Sequence, residues 1–177
     1  TPLIYPENSN WINNLDSPPT ILTGATSHPP VNDWLETMEW IKYNTPENSK
    51  IASWWDYGYW ITTLSDRTTY VDNATLNTKE IKKMATILMS SPDDSWQMLK
   101  EMDADYVLVF LSAQDIGSNS SETPLYVLGQ GGDETKIFWF GSIAGLNPYN
   151  YLNSDSVTPK LNFYDNTMLG NMIPFTP

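Results

Sequence analysis

Residues 50–58 read Lys-Ile-Ala-Ser-Trp-Trp-Asp-Tyr-Gly, a short apolar segment that runs directly into two adjacent tryptophans and an acidic residue. The apolar part, residues 50–54, predicts a short buried strand. Open α/β sheets place ligands at the carboxyl ends of parallel strands. The stretch therefore predicts a core strand with a candidate site at its end.

The sequence on either side supplies the rest of a small sheet. Residues 68–71 predict a second strand, and the continuous apolar run at 106–111 predicts a third with both faces covered. Helices predicted between these strands imply a right-handed crossover and parallel pairing. The predicted fold class is α/β mixed: a small partly parallel sheet with flanking helices and an irregular C-terminal third with short edge strands.

Four helices are predicted from the spacing of apolar and capping residues. They cover residues 32–43, residues 78–89, a segment that begins at Ser91, and residues 133–144. In the first, Asp33 and Glu36 have capping-box spacing. The third presents Trp96, Leu99 and Met102 on its apolar face.

The chain divides into two unequal parts. Residues 1–30 are rich in Pro, Asn and Ser and predict a lead-in or linker packed on the body. Residues 31–177 predict a single globular domain. Within it, residues 115–132 predict a loop with one small strand at 125–128.

Composition and charge exclude several classes of function. The 177 residues carry 9 basic and 21 acidic side chains and a formal charge of −12, which disfavours nucleic acid as a partner. The chain has no cysteine, so disulfides, thiolate metal sites and thiol nucleophiles are excluded. No apolar run approaches the roughly 20 residues of a membrane helix.

Few residues offer conventional catalytic chemistry. The single histidine, His28, lies beside two prolines in the polar lead-in, where a plain surface role is favoured. The glycine-rich run at 129–132 lacks the Lys and Ser/Thr of a phosphate loop. The many carboxylates show no spacing typical of glycosidases, although tertiary structure rather than sequence sets such pairs.

The residues Trp54, Trp55 and Asp56 combine donors and an acceptor. An indole N–H can only donate a hydrogen bond, and an ionised carboxylate can only accept one. Together they suit a ligand hydroxyl, which both donates and accepts. The alternative is that both tryptophans are core aromatics and that Asp56 forms a turn before Gly58.

The stretch Trp54-Trp55-Asp56-Tyr57-Gly58 resembles the signature pentapeptide of the oligosaccharyltransferase catalytic subunits, which N-glycosylate Asn-X-Ser/Thr sequons. The similarity continues through segments 66–69, 71–73, 89–92 and 105–109, so that it covers roughly residues 34–145. These segments are similar to the family's soluble C-terminal domain. The absence of cysteine and the modest length favour an archaeal, AglB-type member over a eukaryotic one.

A second motif strengthens the resemblance. Asp133 and Lys136 lie one helical turn apart and can pair on one face, a spacing that by itself is typical of a solvated surface pair. The stretch resembles the family's Asp-x-x-Lys-x-x-x-Met motif. Phe140 stands where the family has methionine, which leaves the lining of that end of the pocket open.

The resemblance implies a role for each of these residues. Trp54, Trp55 and Asp56 would hold the hydroxyl of the sequon Ser or Thr, and Lys136 with its helix would complete the pocket. Tyr57 and Gly58 would shape the turn.

The resemblance also implies a larger parent enzyme. The parent would be a multi-pass membrane glycosyltransferase with this domain on the extracytoplasmic side. Its partners would be the acceptor polypeptide, its own transmembrane region and a lipid-linked oligosaccharide. The divalent metal, Mn²⁺ or Mg²⁺, would lie in that membrane region, so the domain alone is expected to hold no metal and no catalytic residue and to transfer no sugar.

The chain contains two sequons of its own, at Asn73 and Asn119, which are possible glycosylation sites. Two competing functions remain open. A secreted carbohydrate-binding or cell-surface module would use Trp54 and Trp55 as an exposed stacking platform. A soluble hydrolase would need carboxylates clustered in a cleft.

Overall fold

The computed structural model describes residues 33–115, 126–128 and 131–173, with backbone alone for the strand residues 113–115 and 126–128. The predicted lead-in at 1–30, with His28, and the sequon at Asn119 lie outside the described residues. Among those described, no helix is long and apolar enough to cross a membrane.

The described residues form seven α-helices and five strands. The helices are α1 (Asp33–Asn44), α2 (Gly58–Leu64), α3 (Thr78–Met89), α4 (Pro92–Glu101), α5 (Ile137–Ala144), α6 (Leu161–Asn166) and α7 (Met168–Met172). The strands are β1 (Lys50–Ser53), β2 (Thr68–Thr69), β3 (Tyr106–Leu108), β4 (Ala113–Asp115) and β5 (Tyr126–Leu128). Short 3₁₀ turns lie at Trp55–Tyr57, Asp133–Thr135 and Pro148–Asn150.

The central sheet has the order β2-β1-β3, and both pairings are parallel. Ile51 of β1 pairs with Thr69 on one side and with Tyr106 on the other. The predicted α/β mixed class and the parallel pairing are confirmed. Strands β4 and β5 form a separate antiparallel pair, which includes the small strand predicted inside the loop.

The helices cover the sheet with the faces that their spacing indicates. Trp34, Met38 and Ile41 of α1 are all buried, as a repeat of three and four residues requires. Helix α3 buries Met84 and Leu88 and packs against α5. Asn77 caps α3 by accepting a hydrogen bond from the Glu80 N–H, which satisfies one of the helix's free donors.

The residues that helix α4 buries differ from those predicted for its apolar face. Trp96 is 61% exposed, whereas Leu99 is buried as predicted. The reason is Ser95, which is fully buried and donates from Oγ to the Ile87 carbonyl at 2.6 Å. This small residue allows α4 to approach α3 closely, and the adjacent tryptophan then points to solvent, with Lys100 Nζ 6.0 Å from its ring centre.

Two predicted boundaries and the predicted content of the C-terminal region are also corrected. Strand β3 ends at Leu108 rather than at residue 111 because the chain leaves the sheet there and turns toward Asp133. The helix predicted at 133–144 begins as a 3₁₀ turn and becomes α-helical only at Ile137. Beyond Gly145, the described residues hold α6, α7 and one bridge between Leu152 and Pro159 in place of several edge strands.

Candidate functional site

The candidate site forms where β1 leaves the sheet. The strand ends at Ser53, Trp54 remains extended, and the chain enters the 3₁₀ turn Trp55–Tyr57 before α2 begins. The Tyr57 N–H donates to the Trp54 carbonyl at 3.2 Å and closes this turn. The turn buries the Asp56 side chain, which is 2% exposed.

The ammonium of Lys136 lies at the centre of the site. Its Nζ donates to Asp56 Oδ2 at 2.7 Å, to the Tyr57 hydroxyl at 2.9 Å and to Asp133 Oδ1 at 3.1 Å. An ammonium has three N–H donors, so these three acceptors use all of them. The Lys136 side chain is only 15% exposed, and two buried carboxylates therefore share one nearly buried cation.

Asp133 and Tyr57 tie this cluster to the segment that follows β3. The Tyr57 hydroxyl donates to Asp133 Oδ1 at 2.7 Å, and the Phe110 N–H donates to Asp133 Oδ2 at 3.0 Å. Burial raises the pKa of Asp133, and the Lys136 charge lowers it in part. The pKa of Tyr57 is raised well above its ordinary value, mainly by burial and secondly by the negative charge of Asp133. Tyr57 is therefore a neutral donor at physiological pH.

Glu134 binds the backbone at Gly132, just before the 3₁₀ turn Asp133–Thr135, and at Ser112. Its carboxylate accepts from the Gly132 N–H at 3.1 Å and from the Ser112 N–H at 3.3 Å. The residue is 4% exposed, and burial raises its pKa. Glu134 thus supports the segment that presents Asp133 and Lys136 rather than contacting Lys136 itself.

The two tryptophans differ in exposure. Trp54 is 4% exposed and packs edge-on against Phe140, with ring centres 4.7 Å apart. Trp55 is half-buried, with its ring centre 6.0 Å from that of Trp54. Neither indole N–H has a hydrogen-bond acceptor among the described residues.

Asp56 carries an unused acceptor. Its Oδ2 accepts from Lys136, but Oδ1 is buried and has no hydrogen-bond partner in the described part of the chain. A buried polar atom without a partner destabilises the folded state, so its persistence in a native protein points to a group that it binds. The unpaired oxygen and the unpaired indole donors of Trp54 and Trp55 belong to three consecutive residues.

Gly58 allows the turn to lie against the loop that follows β2. A Cβ on Gly58 would lie 2.5 Å from the Asp72 Cα and from the Val71 carbonyl oxygen, closer than a Cβ packs against other atoms in folded proteins. Its φ of −57° is ordinary, so space rather than backbone freedom requires glycine here. The turn-shaping role predicted for Gly58 therefore has a steric basis.

We expect Gly58→Ala to lower the free energy of unfolding by about 1–3 kcal/mol, because the loop backbone must move to admit the methyl group. Urea unfolding of the chain measures this loss. Gly145→Ala is a poor comparison because its φ is +83°, whereas Gly141→Ala meets its nearest atoms only at 3.3 Å and should cost less. Equal stability of Gly58→Ala and the unchanged chain would contradict the steric argument.

The cluster offers no place for a metal ion. The Lys136 ammonium already lies between the carboxylates of Asp56 and Asp133, so the two do not face an open cation position. In the described ranges, no group of three or more His, Asp or Glu side chains could hold a metal. The sequence resemblance places the divalent metal in the membrane region of the parent, and that expectation stays a prediction.

The structure brings together the pocket residues predicted from sequence, whose binding role stays a prediction. Asp56 and Lys136 are in direct contact, Trp54 and Trp55 flank them, and Phe140 packs behind Trp54. The sequence reasoning missed the Tyr57 hydroxyl, which bridges Asp133 and Lys136. No spacing rule reveals a contact between residues 76 positions apart.

The second missed residue is Asn73, predicted only as a possible glycosylation site. Its side-chain amide donates from Nδ2 to the Asp56 carbonyl at 2.9 Å and accepts at Oδ1 from the Tyr59 N–H at 3.2 Å. Asn73 therefore contacts the backbone of the candidate site directly.

Comparison with known proteins now gives the family. Residues 47–119 match the model of the STT3/PglB/AglB core domain. The chain is 34% identical over 159 residues to the dolichyl-diphosphooligosaccharide–protein glycosyltransferase subunit STT3 of Saccharomyces cerevisiae. This match covers 86% of this chain and 20% of that protein. The chain belongs to the STT3/PglB/AglB family. Over 110 residues it is also 36% identical to the STT3B subunit of Oryza sativa subsp. japonica, across 59% of this chain and 15% of that subunit.

A solved structure supports the fold of this STT3/PglB/AglB domain. The crystal structure of the C-terminal globular domain of oligosaccharyltransferase from Archaeoglobus fulgidus superposes with a TM-score of 0.52 at 22% identity, over 82% of this chain and 87% of that one. The chain spans about a fifth of the length of the curated relatives it matches. The archaeal origin expected from composition stays a prediction.

Proposed function

We propose that this domain recognises the acceptor sequon, Asn-X-Ser/Thr, in an oligosaccharyltransferase that transfers a lipid-linked oligosaccharide to asparagine. Trp54, Trp55 and Asp56 bind the hydroxyl of the sequon Ser or Thr. Lys136 holds the Asp56 carboxylate in its binding orientation, and Asp133 and Tyr57 hold Lys136. The domain contributes recognition, and the transfer chemistry lies elsewhere in the parent enzyme.

The observation that carries the proposal is the buried Oδ1 of Asp56, which has no partner among the described residues and directly follows in sequence two tryptophans whose indole donors are also unpaired. A hydroxyl donates one hydrogen bond and accepts others, so a sequon Ser or Thr would donate to Oδ1 and accept from an indole. Trp55 is the most exposed of the three residues. A peptide would therefore approach the pocket from the Trp55 side.

The geometry also supports discrimination against other residues at the hydroxyl position. A peptide with alanine there leaves the buried Asp56 oxygen without a partner and makes no hydrogen bond to the indole N–H groups. Each lost partner costs about 1–3 kcal/mol, which is far more than a pocket gains by contacting a methyl group. The additional methyl group of threonine over serine is worth up to about 1 kcal/mol against apolar neighbours such as Phe140.

The rings of Trp54 and Trp55 do not favour a carbohydrate-stacking platform. Such a platform needs exposed ring faces, and Trp54 is 4% exposed with Phe140 packed against it. Half-buried Trp55 alone would offer one stacking surface. The burial of Asp56 and its ion pair with Lys136 also have no part in stacking.

The proposal extends to the parent protein. The parent is an integral membrane glycosyltransferase, and this domain faces the extracytoplasmic side, where its acceptor polypeptides are presented. The transmembrane region of the parent binds the lipid-linked oligosaccharide and the divalent metal. The names of the relatives, dolichyl-diphosphooligosaccharide–protein glycosyltransferase subunits, support this assignment.

The test compares glycosyl transfer by the full-length parent to an Asn-X-Thr peptide and to an Asn-X-Ala peptide. We expect Asp56→Ala and Trp55→Ala to reduce the preference for the threonine peptide by about 5- to 150-fold, the equivalent of losing one partner worth 1–3 kcal/mol. The measured quantity is the ratio of kcat/KM for the two peptides. This ratio is insensitive to the amount of active enzyme.

Two exposed residues provide matched controls. Asp165→Ala removes a carboxylate from an exposed position of helix α6, and Trp96→Ala removes an indole that is 61% exposed. Both should keep the preference of the unchanged enzyme. If Asp56→Ala and Trp55→Ala also keep it, the domain does not recognise the sequon hydroxyl and the carbohydrate-binding function becomes the better proposal.

A further inference from the structure

We infer that Asn73 is a positioning residue of the sequon site, an inference that rests on the proposed function. Its side-chain amide joins two backbone groups that flank Tyr57: Nδ2 donates to the Asp56 carbonyl at 2.9 Å, and Oδ1 accepts from the Tyr59 N–H at 3.2 Å. One amide thus links the backbone inside the 3₁₀ turn, at Asp56, to the first turn of helix α2, at Tyr59. The sequon Asn73-Ala74-Thr75 has a use for its asparagine that does not involve glycosylation.

The start of helix α2 shows why the turn needs an external partner. Its N-cap residue, Tyr57, makes no capping hydrogen bond with its own side chain. The first N–H groups of a helix have no partner within the helix, and Tyr59 is in that first turn. Asn73 provides the acceptor from another segment of the chain, in the manner of an N-cap residue.

The loop that carries Asn73 is itself held in place. Asp72 Oδ1 accepts from the Ala74 N–H at 2.9 Å, and the Asp72 carbonyl accepts from the Thr75 N–H at 3.0 Å. Gly58 lies directly against Asp72, where a Cβ would meet the Asp72 Cα at 2.5 Å. The amide of Asn73 is therefore presented from a fixed loop onto the recognition turn.

This arrangement links Asn73 to the proposed hydroxyl pocket. The Asp56 backbone carbonyl is fixed by Asn73, and the Asp56 side chain is fixed by Lys136. The unpaired Oδ1 keeps its position only if both ends of the residue are held. Loss of the Asn73 amide would remove the hydrogen bond that holds the Asp56 carbonyl and would weaken peptide binding. The transfer chemistry in the membrane region of the parent would stay intact.

The test measures kcat and KM for an Asn-X-Thr peptide with the full-length parent and two variants. Asn73→Asp removes the Nδ2 donor and places a negative charge beside the Asp56 carbonyl. Thr75→Ala destroys the same internal sequon but keeps the Asn73 amide. We expect Asn73→Asp to raise KM about tenfold with kcat unchanged at saturating peptide, and Thr75→Ala to match the unchanged enzyme.

Each other outcome overturns the inference in a distinct way. An equal rise of KM in Asn73→Asp and in Thr75→Ala would mean that a glycan on Asn73 matters rather than its amide. A fall in kcat at constant KM would mean a purely structural role, because misfolded enzyme lowers only the active fraction. Asp56→Ala, measured in parallel, separates the two proposals: if it raises KM and Asn73→Asp does not, only this inference fails, and if neither raises KM, the proposed function fails as well.

Discussion

Lys136→Met should lower the free energy of unfolding of the chain by about 3–5 kcal/mol at pH 7, because breaking a buried ion pair leaves its partners charged and uncompensated. Here the Lys136 ammonium pairs with the buried carboxylates of both Asp56 and Asp133, so a single substitution removes the counter-ion of both. Methionine has similar length and volume, which keeps a cavity from adding to the loss. A loss of this size is a large fraction of the 5–15 kcal/mol that stabilises a typical domain.

The loss should shrink as the pH falls. Burial already raises the pKa of Asp133 above its ordinary value, and Lys136 is the largest influence that lowers it. Without Lys136, that pKa rises further. A carboxyl whose folded pKa exceeds its unfolded pKa binds protons more readily in the native state, so stability increases as the pH falls from the folded pKa toward the unfolded one. The Lys136→Met variant should therefore recover stability between pH 7 and pH 5 relative to the unchanged chain.

Urea unfolding at both pH values measures this recovery. Lys82→Met removes an exposed lysine from α3 and should change stability little at either pH. The double variant Lys136→Met/Asp133→Asn cannot protonate residue 133 and should recover less than Lys136→Met alone. A small loss at pH 7, or a loss that does not depend on pH, would show that the Lys136 contacts do not hold the site together.

The fold was predictable wherever local pattern and burial agree. Helix α3 has the predicted bounds, because its cap and its apolar spacing both indicate residues 78–89. Trp96 was misplaced because hydrophobicity alone favours burying a tryptophan, whereas close packing of α4 against α3 requires the small Ser95 at the contact. Periodicity identifies a helix but does not determine which of two adjacent residues faces its neighbour.

The residues that form the ion pair of the site were predictable from sequence, but the other hydrogen bonds that position them were not. The resemblance of two motifs pointed to Asp56 and Lys136, which the fold brings to 2.7 Å although they lie 80 positions apart. The Tyr57 hydroxyl and the Asn73 amide could not be found in this way, since both act through tertiary contacts, Tyr57 with the Asp133 and Lys136 side chains and Asn73 with backbone groups. In particular, backbone carbonyls and N–H groups leave no trace in a motif.

Arg67→Met should lower the free energy of unfolding by several kcal/mol, about the cost of leaving buried hydrogen-bond acceptors without donors at 1–3 kcal/mol each. Arg67 is 5% exposed, and its guanidinium makes five hydrogen bonds: to the Thr45 hydroxyl and to the carbonyls of Lys42, Thr45, Ser65 and Asp66. Four of these acceptors are backbone carbonyls at the ends of α1 and α2. The cation thus lies where the negative ends of two helix dipoles meet, which stabilises it without a carboxylate among the described residues.

Geometry rather than charge makes arginine necessary at this position. Arg67→Lys keeps the positive charge but offers three donors from one atom, so it cannot span acceptors on two helices. We expect Arg67→Lys to lose about half as much stability as Arg67→Met, while Lys100→Met, at an exposed position on α4, loses little. Urea midpoints at constant m value provide the comparison. If Arg67→Lys retained full stability, the charge alone would suffice, and the proposed bridging of the ends of α1 and α2 by the guanidinium would be wrong.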